Sequence, residues 1–320
     1  MSMFTEFTNH FPVLLYPVSG YSLFRFSDKI YLGVGSNNEV VLAIESLDPQ
    51  RNARTIYTDS LQLILNSKAN LVEDSANTLK TMNLLSFKPK DQKGLKVFFE
   101  ICGIFATGDK IGSTDNMTEI FETIRSMFAK GSEISFSELQ GLFAELYLIY
   151  KFRNDFNLAK FWHSEENQKF DFSLSPCLKI EVKSTTGPLR QHHFMHDQLS
   201  SDMYTIHIAS FMFQRDDQGL PLEELINSVH DLLLVNEKQF TRVQKIILNT
   251  EPALLSTVSF NQLYTENCLN FYKGTDVPRF AGTRPTGVTN AEYDSVLENV
   301  PVERIEEILR IIQIEINTSS

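Results

Sequence analysis

The chain has 320 residues, of which 42% are hydrophobic and 25 are phenylalanine, and a formal net charge of -11. So much apolar side chain excludes a disordered chain, and the acidic balance argues against a nonspecific nucleic-acid coat while leaving room for a local cationic site. The three cysteines, Cys102, Cys177 and Cys268, lie far apart and form no CxxC pair, which argues against structural zinc and a disulfide framework.

The length allows two domains, or one with large additions. The N-terminus has no basic region, and the apolar run 11–18 is short and interrupted by Pro12 and Pro17. No run approaches the roughly eighteen apolar residues of a membrane-spanning helix, so a cytoplasmic protein is expected. Residues 1–130 read as an α+β domain. Strands are expected at 21–26, 30–34, 40–45 and 95–105, and helices at 60–65 and 74–85. Gly33-Val34-Gly35 is not a dinucleotide fingerprint, since position 38 is Asn and no βαβ unit follows. No pattern here carries chemistry, so this domain either recognises DNA or a partner, or supports the rest of the chain. The Gly-, Ser-, Thr- and Asp-rich stretch 109–116 reads as a linker, and 118–129 as an amphipathic helix.

Residues 131–320 read as the second domain. A helix is expected at 135–154, with Ser135 at its N-cap and Glu138 at capping-box spacing. Leu139, Leu142, Phe143, Leu146, Ile149 and Tyr150 form its apolar stripe, and Glu145 lies on that inward side. The neighbours of Glu145 at i±3 and i±4 are Gly141, Leu142, Leu148 and Ile149, none of which can pair with it. Burying an unpaired carboxylate costs on the order of several kcal/mol. Glu145 therefore needs a partner from elsewhere, and a metal or its water shell is one candidate; the alternative is a helix rotated so that it reaches solvent.

Next comes a hairpin, 170–174 and 178–184, turning at Ser175-Pro176. Leu178, Ile180 and Val182 fall on one face of the second strand, and Lys179, Glu181 and Lys183 on the other. Asp171 then lies near Glu181 and Lys183. Mg²⁺ takes hard oxygen ligands and usually only one or two protein carboxylates, so Asp171 and Glu181 suit it. An ammonium on the same face, Lys183, can orient a water and oppose charge building on a phosphodiester. The bland alternative is an ordinary solvated strand face.

Asp171, a gap of nine residues and Glu181-Val182-Lys183 make the chain resemble the PD-(D/E)XK nuclease superfamily, with Phe170 in place of the proline. It also resembles a bacterial group of PD-(D/E)XK motif proteins associated with restriction and phage defence. The likeness is strongest over 135–213 and continues weakly to 298. It implies a restriction-endonuclease-like α/β core, an αβββαβ order with a mixed sheet flanked by helices. It further implies a Mg²⁺-dependent endonuclease acting on DNA, with Mn²⁺ as a substitute. In that scheme Asp171, Glu181 and the Val182 carbonyl bind metal, Glu145 joins the metal site, and Lys183 positions the nucleophilic water. Cutting both strands with one site per chain favours a homodimer, and companion restriction or defence subunits are compatible with the likeness. The competing reading is a nuclease fold that binds DNA or scaffolds a larger complex without cutting.

After the hairpin, the turn 184–188 leads into 189–194, expected beside the scissile phosphate. Arg190 is placed there to grip a phosphate oxygen, His192 or Gln191 to touch backbone or a base edge, and Ser184 to bond a phosphate or end the strand. The apolar run 203–213 reads as a strand buried on both faces that completes a three-stranded meander. Helices are expected at 221–235, 237–248 and 251–263, a strand at 269–272, a loop carrying Arg279 and Arg284 at 277–287, and a closing amphipathic helix at 301–316.

Overall fold

A computed structural model of the chain describes residues 2–73, 76–107, 110–128, 134–162, 169–199, 203–280, 287–288 and 291–319. The chain divides into two compact units, Met1–Gly131 and Ser132–Ser320.

The first unit runs α1 (Met3–His10), β1 (Tyr21–Arg25), β2 (Ile30–Gly35), β3 (Val40–Glu45), β4 (Arg54–Tyr57), β5 (Leu61–Glu73), β6 (Ala76–Phe87), α2 (Gln92–Phe105) and α3 (Thr114–Phe128). Its six strands form one antiparallel sheet in the order β1-β2-β3-β6-β5-β4. Phe98 of α2 stacks on Phe87 of β6 with ring centroids 5.1 Å apart, and Phe99 meets Phe7 of α1 at 4.5 Å.

Four expectations fail in this unit. The helices expected at 60–65 and 74–85 are instead the long pair β5 and β6; residues 74–75 lie outside the described residues. Leu61, Leu63 and Leu65 are buried while Gln62 and Ile64 between them are less so, which is the period of a strand. A register shift between Ile64 and Ser67, with Asn66 at φ 54°, breaks that alternation and hides it from a pattern reading. Conversely, the strand expected at 95–105 is α2. Its buried residues Gly94, Val97, Phe98, Ile101, Cys102 and Phe105 recur at helical spacing, and Asp91 caps it by accepting from the Gly94 N–H at 2.7 Å. Aromatic and β-branched composition suggested a strand, and periodicity overrode it. Of the supposed linker at 109–116, residue 109 lies outside the described residues and 110–116 belong inside the unit: the Gly112 carbonyl accepts from Asn83 Nδ2 at 2.8 Å, and the Thr114 N–H donates to Asp48 at 2.8 Å.

The second unit begins with α4 (Phe136–Phe152), whose Ser135–Glu138 capping box is formed as expected. It continues with β7 (Phe172–Ser173), β8 (Leu178–Thr185), β9 (Gln191–Met195), α5 (His196–Leu199), β10 (Thr205–Met212), β11 (Arg215–Pro221), α6 (Leu222–Leu233), α7 (Glu237–Asn249) and α8 (Pro252–Thr257). The last elements are β12 (Ser259–Phe260), α9 (Gln262–Asn267), β13 (Asn270–Lys273), β14 (Glu292–Val296) and α10 (Ile305–Ser319). A four-stranded mixed sheet has the order β13-β10-β8-β7, and two small ribbons pair β11 with β12 and β9 with β14.

β10 does not complete a meander. It lies parallel to β8, with Thr205 opposite Leu178 and Met212 opposite Thr185, while β9 leaves the sheet to pair antiparallel with β14. A parallel neighbour needs a crossover, and β9 with α5 supplies it. β10 is covered on both faces, as its apolar run implied: Ile206 and Ile208 pack with Phe194, Leu199 and Leu297, and Phe211 meets Tyr147 of α4 at 5.9 Å. The single helix expected at 251–263 is divided into α8 and α9 by β12, whose Phe260 stacks on Phe213 at 4.5 Å. In the loop after β13, Arg279 donates to the Gly274 carbonyl at 2.8 Å, and Arg284 lies outside the described residues. Among the described residues no helix is long and apolar enough to cross a membrane.

Fully buried Asn83 accepts from the Asn66 N–H at 2.9 Å and donates to Gly112, so it ties the β5 irregularity to the segment before α3. Asn83→Ala should destabilise the protein by about 1–3 kcal/mol, because it leaves the Asn66 N–H without a partner and takes from the Gly112 carbonyl one of its two donors, the other being the Leu47 N–H. Urea unfolding checks this; a cost near zero would show that the two groups find other partners.

Candidate active site

The site is built at the open end of the short β7–β8 pairing. Phe172 lies opposite Ile180 and Ser173 opposite Lys179, so the residue before β7, Asp171, falls level with Glu181. Past the end of β7, the N–H of Val182 donates to Asp171 Oδ2 at 2.7 Å. A strand residue presents its N–H and C=O to the same edge, so the Val182 carbonyl shares the edge of Asp171.

Glu181 and Lys183, two apart on β8, share a face, and Lys183 Nζ lies 2.7 Å from Glu181 Oε1. Gln198 of α5 holds both. Its Nε2 donates to Glu181 Oε1 at 2.6 Å, and its Oε1 accepts from Lys183 Nζ at 3.4 Å and from the Met195 N–H at 3.1 Å. The second oxygen of Glu181, Oε2, is buried and has no hydrogen-bond partner among the described residues.

Glu145, on α4, accepts at Oε2 from the Trp162 indole N–H at 2.6 Å and from Arg242 Nη1 of α7 at 2.8 Å. The partner demanded by its inward position is thus supplied by two protein donors, and not by a metal alone. Three carboxylates therefore face two cations, Lys183 and Arg242. Burial pushes the Asp171 carboxyl well above the usual carboxylate range, and the charges of Glu181 and Glu145 push it further. Glu181 is raised as well, by burial first, although Lys183 opposes the shift.

These features fit a divalent cation. Among the described residues no group of three or more His, Cys, Asp or Glu side chains converges to hold an ion alone. Asp171 and Glu181 offer two carboxylates, which is what Mg²⁺ usually takes, and the orphaned Glu181 Oε2 is a buried acceptor in want of a positive charge.

The residues expected at the phosphate are placed otherwise. Arg190 is buried, and its Nη1 donates to the Ser210 carbonyl and hydroxyl oxygens at 2.7 and 2.8 Å, its Nη2 to the Cys268 carbonyl at 2.8 Å. With its fork spent on protein oxygens it ties β9 to β10 and does not grip a phosphate. His192 is buried beside it, 2.7 Å from the Ser210 hydroxyl, and its pKa is pushed down to about 3 by burial and then by the charges of Arg190 and Lys183. The Ser210 hydroxyl accepts from Arg190 and shares a hydrogen bond with His192 Nε2, and a pKa that low leaves the imidazole neutral. Ser184 accepts from Gln140 Nε2 at 3.2 Å, and Gln191 is exposed, 3.4 Å from Asp294. Neither is brought to the carboxylates.

Residues 22–298 match the model of a family, DUF4420, whose description reads "Putative PD-(D/E)XK family member". The chain belongs to this DUF4420 family. The match spans parts of both compact units. No curated protein and no solved structure matches the chain.

Within this DUF4420 chain the sequence reading missed Gln198, Trp162 and Arg242. Gln198 sits in a short helix with no motif to mark it, and Arg242 is 97 positions from Glu145, so only the fold joins them. An unpaired inward Glu145 was the one signal that a cation had to arrive from afar.

Two tests follow from this geometry. A carboxyl group whose pKa is raised by folding binds its proton more tightly folded than unfolded, so the metal-free protein loses stability as pH rises from the ordinary carboxylate range to the raised value. Asp171→Asn, which keeps an acceptor for the Val182 N–H, should therefore raise the metal-free melting temperature at pH 8. Wild-type protein should gain about 2.7 kcal/mol from Mg²⁺ at one hundred times its dissociation constant, an effect that shrinks as pH falls and vanishes in Asp171→Asn. Thermal melts across pH check both, and an identical Mg²⁺ response in the variant would exclude Asp171 from the ion site. Ser210→Ala should cost about 1–3 kcal/mol in urea unfolding, because it strips Arg190 and His192 of a shared partner; an unchanged midpoint would mean that the Ser210 hydroxyl does not tie them.

Proposed function

We propose that this chain is a Mg²⁺-dependent endonuclease that hydrolyses DNA phosphodiester bonds, in a bacterial restriction or phage-defence setting in the cytoplasm. The observation that carries the reading is the buried, unpartnered Glu181 Oε2 beside Asp171, with the Lys183 ammonium on the same strand face. A pure binding protein has no use for uncompensated carboxylates turned toward a polyanion. Membership of DUF4420, whose description links it to PD-(D/E)XK proteins, supports the same chemistry.

Asp171, Glu181 and the Val182 carbonyl would hold the ion, Mg²⁺ or Mn²⁺, which when bound lowers the pKa of a coordinated water and neutralises phosphate charge. Lys183 donates to the attacking water or to the phosphate oxygen beside it, opposing the charge that builds there. Gln198 fixes the directions of both Glu181 and Lys183, so the ammonium is oriented before substrate arrives. Glu145 contributes negative charge from α4 without competing for Lys183, since its own cation is Arg242. DNA is the partner on this reading, and two chains, as a homodimer, would bring two sites to the two strands. Companion restriction subunits fit the same setting.

The test is cleavage of supercoiled plasmid, methylated and unmethylated, with Mg²⁺ or Mn²⁺, beside Lys183→Ala. Wild-type protein should nick or linearise the plasmid only with metal. Lys183→Ala should lose at least a hundredfold in rate, in line with the loss of one charge-stabilising donor, while it still folds, with a lowered melting temperature because buried Glu181 loses its ion-pair partner. An unchanged rate in the variant would remove Lys183 from the mechanism. DNA binding by both proteins without cleavage by either would favour a non-cutting subunit.

A further inference from the structure

Arg190, the cation that the sequence placed at the phosphate, is spent within the fold. Another guanidinium stands at the carboxylates. Arg242 comes from α7, well outside the hairpin, and its Nη1 donates to Glu145 Oε2 at 2.8 Å. Its guanidinium carbon lies 5.0 Å from the centre of the Trp162 ring, and the same indole donates to the same Glu145 oxygen. Glu145 and Trp162 thus fix the fork from two sides. The side chain still keeps 32% of its surface open to solvent, and the rest of the fork donates to no protein acceptor among the described residues.

Position and charge separate this arginine from an ordinary structural one. Trp162 bridges to Phe172, the residue after Asp171, so the guanidinium over its ring stands near the start of β7. Burial opposes its charge, yet Glu145 and then Asp171 offset that and hold its proton tighter. A planar fork with free parallel donors matches the paired oxygens of a phosphate. Trp162 is itself buried, so it offers no ring face for a base to stack on.

We propose that Arg242 is a substrate-binding residue of this site, whose open guanidinium edge takes a non-bridging oxygen of the nucleic-acid backbone, and that Glu145 serves as its holder. This rests on the nuclease reading and deepens it: the fork reads backbone phosphate and carries no base preference. Glu145 then acts through Arg242 as a positioning residue.

Arg242→Gln alone would leave Glu145 buried without its cation, so the test compares Glu145→Gln with the double variant Glu145→Gln/Arg242→Gln, in which no charge is orphaned. Arg242→Lys, which keeps the charge but not the fork, is made alongside. Binding of a fluorescent DNA duplex is followed by anisotropy over a salt series, with Ca²⁺ replacing Mg²⁺. Removing Arg242 from the Glu145→Gln background should lower the slope of log affinity against log salt by about one. Arg242→Lys should keep the slope and cleave at least tenfold more slowly than wild type. Glu145→Gln should keep the Mg²⁺-induced rise in melting temperature, since its carboxylate serves the arginine.

Equal salt slopes in Glu145→Gln and the double variant would overturn the proposal and leave Arg242 as a charge neutraliser. So would wild-type cleavage by Arg242→Lys. Wild-type protein that binds and cuts DNA while the Arg242 variants match it sinks only the role of Arg242. Wild-type protein that binds neither DNA nor RNA sinks the nuclease reading and this inference together.

Discussion

The hydrogen bond from the Val182 N–H to Asp171 is where the second unit turns from a fold into a site. β7 pairs with β8 over only two residues, and the ladder stops just where Asp171 lies level with Glu181. An N–H facing that edge with no strand opposite would be an unpaired donor. A carboxylate fills the gap, so the end of the sheet is closed by an acidic side chain in place of a neighbouring backbone. The same closure fixes the distance between Asp171 and the Glu181–Lys183 face, because the carboxylate is tied to the strand that carries them. Had β7 continued, its backbone would have taken the donor and Asp171 would have been free to swing into solvent.

Once that carboxylate is held in place, electrostatics governs its surroundings. Glu145, Asp171 and Glu181 come from α4, the start of β7 and β8, and each is pulled in by backbone that is itself buried by aromatic packing. Tyr147, two residues from Glu145, is fully buried against Phe211, so the helix cannot roll to release its acid without opening the core. Packing of the apolar side chains buries these like charges together, and burial first, then the charges of Glu181 and Glu145, raises the proton affinity of Asp171.

What the sequence makes legible depends on distance along the chain. Asp171, Glu181 and Lys183 sit on one hairpin, where a short turn sets the register, so alternation alone puts them on one face. The capping box of α4 and the inward position of Glu145 are equally local and equally readable. The partners of Glu145 are not, since Trp162 and Arg242 reach it through loops and helices whose paths no periodicity encodes. Arg190 and His192 failed for a related reason: they follow the active strand in sequence, but β9 departs from the sheet to pair with β14, which turns both side chains toward Ser210 of β10. Adjacency in sequence set their neighbourhood and not their direction. In the first unit, composition misled where periodicity was interrupted, as at Asn66, and periodicity won where it ran unbroken, as in α2.

The pairing of β9 with β14 also sets when the site can exist. Gln198, which orients Glu181 and Lys183, follows directly from β9, and β9 is held along its length by Glu292–Val296, while Arg190 receives both the Leu297 N–H and, at its own N–H, the carboxylate of Glu298. A chain emerging from the ribosome exposes its complete Asp171–Glu181–Lys183 hairpin long before those residues are made. Until they arrive, the strand that leads to Gln198 has its side-chain ties to Ser210 but not its antiparallel partner β14. The order of synthesis thus acts as a delay, and a truncated or unfinished polypeptide carries the acidic pair and the lysine without the scaffold that aligns them.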